Sequence, residues 1–376
     1  MIRPLLLGAL LGLGISALPA VADEPDANVL YNHHCAICHG VSRLGGIGPA
    51  LLPDNLSRLK PDEAFEVIHD GRIATQMPAY GELLDEAEIA ALAEWIFEAP
   101  EVEPSWTDED ILASHDVRHA YGTLPDEPVF EVEDLKNLFI VVEIGDHHVS
   151  LLDGDKFERI ARFPSRYALH GGPKYTPDGR YVYFGSRDGW VTKYDIYNLE
   201  VTAEVRAGIN MRNIAVSADG RYVLAGNYLP HTLVLLDARD LDLIATIPVE
   251  GLNGETSRVS AVYTAPPRNS FVAALRDIPE VWEIRWPEER ADGDETIVGD
   301  FALHRMEAPD YLDDFFFDME YRYLVGAARG GKGGQVFDMD EEVKVADLPL
   351  EGMPHLGAGI TWELDGRRVM AIPHID

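Results

Sequence analysis

The sequence predicts a multidomain α + β protein in which a small all-α unit precedes an all-β propeller, and three observations carry that expectation. Up to about residue 100 the apolar residues recur at helical spacing, as at Ile89, Leu92, Ala93 and Ile96. Beyond residue 130 the pattern changes to short β-branched runs at residues 138–142, 181–184, 222–225, 270–274, 321–325 and 368–372. The runs also repeat. Asp178-Gly179-Arg180-Tyr181-Val182 returns 41 residues later as Asp219-Gly220-Arg221-Tyr222-Val223, and a second strand ending in an aspartate follows at Asp153, Asp195, Asp237 and Asp338. Strand-rich repeats of about 40 to 50 residues mark a β-propeller with one sheet per repeat. The chain carries five repeats and the beginning of a sixth.

The 376 residues allow two or three domains, and 46% hydrophobic with 26% charged residues is globular composition. Sixty-five Asp and Glu against 31 Lys and Arg leave a formal charge of −34, which excludes a nucleic acid partner and favours a basic protein one. Residues 1–22 read as a cleavable signal peptide: Arg3, an apolar run over residues 5–18, Pro19, then the Ala20-Val21-Ala22 cleavage pattern. That run is shorter than the about 20 residues needed to cross a bilayer, so the mature chain is expected in the periplasm without a membrane span.

The two cysteines form Cys35-Ala36-Ile37-Cys38-His39. Thiols three positions apart can add across the vinyl groups of a haem while the adjacent imidazole binds the iron, so the motif predicts one covalent haem c held by Cys35, Cys38 and His39. A redox dithiol, the competing reading, has no use for His39. Met77, 38 residues past His39, precedes Pro78, which holds the chain extended for the thioether to serve as sixth ligand; a core methionine is the alternative. With residues 45–50 as the haem-edge loop and residues 85–97 as the closing helix, residues 23–100 resemble a class I cytochrome c.

Residues 101–130 form a polar, acidic linker, and residues 131–376 the propeller. Tyr167-Ala168-Leu169-His170, Arg187-Asp188, Gly208-Ile209-Asn210-Met211-Arg212, Ala225-Gly226-Asn227-Tyr228-Leu229-Pro230 and Met353-Pro354-His355-Leu356-Gly357 look like successive loops of the haem d1 propeller family, which includes periplasmic cytochrome cd1 nitrite reductases and their biosynthetic relatives. The family propeller has eight blades. The resemblance implies that His170 is the proximal ligand of haem d1 or its dihydro precursor, that Arg187 and Arg212 hold macrocycle carboxylates, that Tyr228 lies on the cofactor edge, and that His355 is a distal-side histidine.

One departure separates the branches of this family. Where nitrite reductases place a second distal histidine, this chain reads Tyr311-Leu312-Asp313-Asp314, with Asp313 nearest the aligned position. A carboxylate there disfavours nitrite. The resemblance then implies the biosynthetic branch: oxidation of dihydro-haem d1, propionate to acrylate, with electrons leaving singly through haem c to a periplasmic acceptor. His355 or His374 is the expected base, Asp313, His147 and His148 possible helpers, and other haem d1 biosynthesis or nitrite reductase proteins the expected partners. A nitrite reductase and a non-catalytic haem d1 carrier are the alternatives. Because the sequence stops within the sixth repeat at Pro373-His374-Ile375-Asp376, and a propeller closes by pairing its last blade with its first, the reading expects a C-terminally truncated ring, loosely folded and weak in tetrapyrrole affinity.

Overall fold

Helices form where the sequence supplies start signals. In the computed structural model, which describes residues 25–56, 59–73, 75–286, 301–327, 333–350 and 355–373, the first unit contains α1 (Ala27–His34), α2 (Ala36–His39), α3 (Pro61–Asp70) and α4 (Glu86–Trp95). Asp26 Oδ1 accepts from Val29 N at 3.1 Å to open α1. Pro61 starts α3, where a missing N–H costs nothing, and Asp85 and Glu88 cap α4 reciprocally at 2.9 Å. The helix α4 packs on α1 and α3, burying Tyr31, Leu84, Ile89 and Leu92. The signal peptide lies outside the described residues.

Six antiparallel sheets follow among the described residues. The first contains Leu138–Glu143, His148–Asp153 and Glu158–Pro164; the second Lys174–Tyr175, Tyr181–Gly185, Trp190–Asp195 and Glu200–Arg206. The third runs through Asn210–Val216, Tyr222–Leu229, Thr232–Asp237 and Leu243–Pro248. The fourth comprises Val259–Ala265, Ser270–Leu275, Glu280–Arg285 and Ala302–Glu307, and the fifth Asp314–Phe317, Tyr323–Ala327, Gly334–Asp338 and Val343–Leu348. Ile360–Leu364 pairs with Arg367–Ala371 as the sixth, so five repeats and the start of another are present as expected. The first strands of sheets two to five touch one another in succession and line the inner face of the ring. Apolar layers lie between neighbouring sheets, such as Tyr183, Met211, Ile214 and Val234 between the second and third, and Val262, Phe271 and Trp282 in the next layer. Because middle strands are covered on both faces, they read as continuous apolar runs rather than alternating ones.

The repeated aspartates close turns. Oδ1 of Asp153, Asp195, Asp237 and Asp338 each accepts the N–H two residues on, at 2.8, 2.9, 2.8 and 3.0 Å. Arg180 from the preceding turn adds an ion pair to Asp195 at 3.0 Å, and Arg322 does the same for Asp338 at 2.9 Å.

The acidic segment 101–130 is more structured than its composition suggests. It carries α5 (Asp108–Ser114), and Asp116–Val117 pairs with Glu200–Arg206 as an added outer strand of the second sheet. Ile111 is buried in the core, Trp106 Nε1 donates to Arg206 O at 2.8 Å, and Tyr121 packs over Lys193. Arg206 ties the two units together: its side chain donates to Leu44 O at 2.5 Å and to Asp188 O at 2.9 Å while its guanidinium lies 4.4 Å from the Trp106 ring centroid. Around it Ala50 and Leu52 of the helical unit bury against Ile209 of the propeller.

Candidate functional site

Cys35, at the junction of α1 and α2, and Cys38, within α2, are half-buried, three residues apart, and without a disulfide between them. His39, which is 8% exposed, directs Nδ1 to Pro49 O at 2.8 Å. Burial lowers its pKa below the ordinary range, so the ring is neutral, with Nδ1–H donating and the Nε2 lone pair free for a metal. Gly48 lies so close that a Cβ there would meet His39 Cε1 at 2.8 Å. Met77 is half-buried in the loop after α3, its backbone fixed by Arg72 N to Met77 O at 3.1 Å and Met77 N to Thr75 Oγ1 at 3.2 Å. Two thiols, a neutral imidazole and a glycine cradle fit a covalent haem c.

In the propeller, His170 follows a bridge between Leu169 and Ser186, and its N–H donates to Gly185 O. Its Nδ1 donates to Arg212 O at 2.7 Å, which again leaves Nε2 as the ligating nitrogen, and Arg212 Nη1 lies 2.9 Å from that Nε2. Arg212 comes from the innermost strand of the third sheet and donates through Nε to Ser260 O, on the fourth, at 2.8 Å. Arg187 lies with its guanidinium 5.8 Å from the Tyr228 ring centroid. The structure therefore brings His170 to Arg212 and Arg187 to Tyr228.

Sequence reasoning missed two further arginines and a second cluster. The guanidinium groups of Arg258 and Arg276 lie 5.7 and 5.9 Å from the Tyr228 ring, giving that tyrosine three cationic neighbours. Asp313 makes an ion pair with Arg276, whereas Asp314, the next residue, faces the histidine: its Oδ2 is 4.0 Å from His355 Nδ1. The carboxylate beside His355 is thus Asp314, whereas Asp313, nearest the aligned position, is engaged by the Arg276 guanidinium. Tyr263 donates to Asp314 Oδ1 at 2.9 Å, and burial raises the Asp314 pKa despite that bond and the charge of Arg212. The Asp314 charge in turn acts on Lys174, whose pKa burial lowers. Gly357 is required at the close approach, since a Cβ would come within 2.4 Å of both Asp314 oxygens. His355 Nδ1 is buried and finds no hydrogen-bond partner among the described residues, an orphaned atom that suits a site completed by a ligand. His374, Met353 and Pro354 lie outside the described residues. His147 packs on the Tyr167 ring and its Nδ1 accepts from Ala168 N at 3.4 Å, whereas His148 Nδ1 donates to Asp146 O at 2.9 Å.

Comparison with known proteins agrees with this geometry. The family description Cytochrome D1 heme domain matches residues 133–376, and Cytochrome C oxidase, cbb3-type, subunit III matches residues 22–96. The chain belongs to the cytochrome d1 haem domain family. It is 58% identical to the dihydro-heme d1 dehydrogenase of Pseudomonas aeruginosa over 98% of this chain and 73% of that relative. It is 26% identical to the nitrite reductase of Stutzerimonas stutzeri, over 95% of this chain and 68% of that protein. Its structure matches that of the dihydro-heme d1 dehydrogenase NirN in complex with DHE with a TM-score of 0.86, at 58% identity over 93% of this chain and 73% of that one. As a d1-domain protein fronted by a c-type cytochrome, it combines a haem c site with a tetrapyrrole site. No helix among the described residues is long and apolar enough to cross a membrane.

Proposed function

We propose that the protein is an exported, periplasmic oxidoreductase that converts dihydro-haem d1 to haem d1 by desaturating one propionate side chain to acrylate. The observation that carries this reading is the joining of a cation-lined propeller site to a c-type cytochrome. Arg187, Arg258 and Arg276 surround Tyr228, Arg212 lies on His170, and the Arg206 seam holds the cytochrome unit against Ile209, at the end of the propeller where the charge of Asp54 reaches Arg258 and that of Arg72 reaches His147. The 58% identity to a dihydro-heme d1 dehydrogenase, against 26% to a nitrite reductase, supports this chemistry over nitrite reduction.

In this reading His170 Nε2 binds the substrate iron, and the arginines bind its carboxylates through charge-assisted hydrogen bonds that fix the macrocycle in register. Cys35 and Cys38 would hold haem c covalently, His39 Nε2 and the Met77 thioether would bind its iron, and the group would supply one-electron acceptance. Desaturation breaks one C–H bond at each of the two propionate methylene carbons and forms the C=C bond, releasing two protons and two electrons. With haem c bound, the cytochrome unit would pass these electrons singly to a periplasmic acceptor protein. His355 takes a proton on the distal side, with Asp314 positioned to stabilise the resulting Nδ1–H. His374 is the second candidate for that role, and Asp313 acts at one remove by holding Arg276. Other haem d1 biosynthesis proteins and nitrite reductase are the partners that would supply the precursor and use the product.

Anaerobic incubation of the purified holoprotein with dihydro-haem d1 and a one-electron oxidant tests the proposal. A product lighter by two hydrogens is expected. Tight binding with no change in mass would instead make the protein a carrier, and nitric oxide formed from nitrite would make it a reductase.

A further inference from the structure

The imidazole nitrogen that must bind the substrate iron is already in use. His170 Nδ1 is fixed by Arg212 O at 2.7 Å, so the free lone pair is on Nε2, and Arg212 Nη1 sits 2.9 Å from it. One lone pair can meet an N–H or an iron, but not both. Ligation therefore requires the Arg212 side chain to move off His170.

That movement has a cost, because Arg212 is only 6% exposed and a buried guanidinium N–H without an acceptor is unfavourable. The side chain cannot simply leave, since Nε remains tied to Ser260 O at 2.8 Å and the Ser260 hydroxyl is itself held by Ala274 O at 3.0 Å and Leu312 O at 2.5 Å. The nearby carboxylate whose charge balances it, Asp314, has Oδ1 committed to the Tyr263 hydroxyl at 2.9 Å and Phe315 N at 3.0 Å, and turns Oδ2 towards His355 Nδ1 at 4.0 Å. Lys174, on which the Asp314 charge also acts, is a cation that donates to Gly171 O at 2.5 Å and offers no acceptor. An incoming carboxylate would restore the lost bond as a stronger, charge-assisted one.

We propose, resting on the reading of His170 as the substrate-iron ligand, that Arg212 is a specificity-determining latch. It covers the ligating nitrogen until a carboxylate of the tetrapyrrole captures the guanidinium, so that iron ligation by His170 is conditional on the acid groups of the ligand. An iron tetrapyrrole of the same size without carboxylates meets a blocked histidine. Arg187, whose guanidinium lies 5.8 Å from the Tyr228 ring centroid, acts as a plain carboxylate clamp.

The test uses holoprotein and two probes, ferric protoporphyrin IX and its dimethyl ester, with the Soret difference spectrum against holoprotein alone reporting imidazole ligation. Wild type should bind the acid at least about tenfold more tightly than the ester. Arg212→Gln should lose most of that preference, by weakening acid binding and strengthening ester binding. Arg187→Ala should weaken acid binding with no gain for the ester. The ester gain is what a clamp alone cannot produce. Arg212→Lys, made in parallel in case the glutamine variant does not fold, retains the charge but cannot donate to Ser260 O and His170 Nε2 together, and should fall between the two. An unchanged preference in the Arg212 variants, or no preference in wild type, overturns the latch. Both probes binding His170→Ala as they bind wild type would instead overturn the assignment of His170, and the latch with it.

Discussion

Two histidines in this chain are prepared in the same way. His39 gives Nδ1 to Pro49 O and His170 gives Nδ1 to Arg212 O, so each ring is held by a backbone carbonyl in the tautomer that offers Nε2. On the cytochrome side the assignment of the opposite ligand is open to a direct check. Met77→Ala should leave haem attached through Cys35 and Cys38 but remove the low-spin His/Met state and lower the reduction potential; spectra of the reduced and oxidised protein with a potentiometric titration read both. A potential equal to that of wild type would remove Met77 from the iron. The sequence singled out His39 through the Cys-x-x-Cys-His motif and His170, Arg187, Arg212 and Tyr228 through the resemblance to the haem d1 propeller, and the structure brings His170 to Arg212 and Arg187 to Tyr228. Arg258, Arg276, Tyr263 and Asp314 were not legible there, because the first three flank or lie in the inner strands of the fourth sheet, Asp314 opens the fifth, and only the packing of the sheets brings them to Tyr228 and His355. The choice between Asp313 and Asp314 was also beyond sequence, since adjacent residues face different neighbours and one of them meets Arg276.

The blades were readable because one piece of chemistry recurs: a glycine turn with positive φ at Gly179 and Gly220, and an aspartate that accepts the N–H two residues on. The strap over residues 101–130 was not readable, since its apolar anchors Trp106, Ile111 and Tyr121 are too few and too irregularly spaced to make a period among acidic neighbours. Where the second sheet meets the Arg206 seam, Asp188 makes a prediction possible. Burial raises its pKa to about 6, against the opposing effects of the Ser186 hydrogen bond and the charges of Arg206 and Arg166. The folded chain then holds this proton more tightly than the unfolded chain between about pH 4 and 6. The contribution is fully present below pH 4 and is lost as pH rises through 6. Asp188→Asn, which keeps an acceptor for Ser186, should flatten that part of the stability profile and make the propeller more stable at pH 7 by about 1–3 kcal/mol. Denaturant unfolding at pH 4, 5, 6 and 7 measures it; parallel profiles for the variant and wild type would show that Asp188 is ionised without penalty.

The net charge of −34 surrounds a site that binds an acidic macrocycle, and the local arginines make that arrangement workable. The same charge governs how electrons leave. Haem c should be reoxidised faster by a small cationic oxidant than by an anionic one of equal driving force, by at least about tenfold at low salt, and the difference should shrink at high ionic strength. Stopped-flow traces at two salt concentrations decide this, and a salt-independent ratio would mean that the exit is shielded from the field of the chain. The account as a whole rests on the two units acting together across the Arg206 seam. A single anaerobic turnover tests this most directly: oxidised holoprotein is mixed with excess dihydro-haem d1 without other oxidant, while haem c reduction and tetrapyrrole mass are followed together. The account predicts that haem c is reduced in step with product lighter by two hydrogens, one product for every two haem c reduced, and that a Cys35→Ala, Cys38→Ala protein lacking haem c forms none. Desaturation at the wild-type rate in the haem c-free protein, or haem c that stays oxidised while product appears, would contradict it.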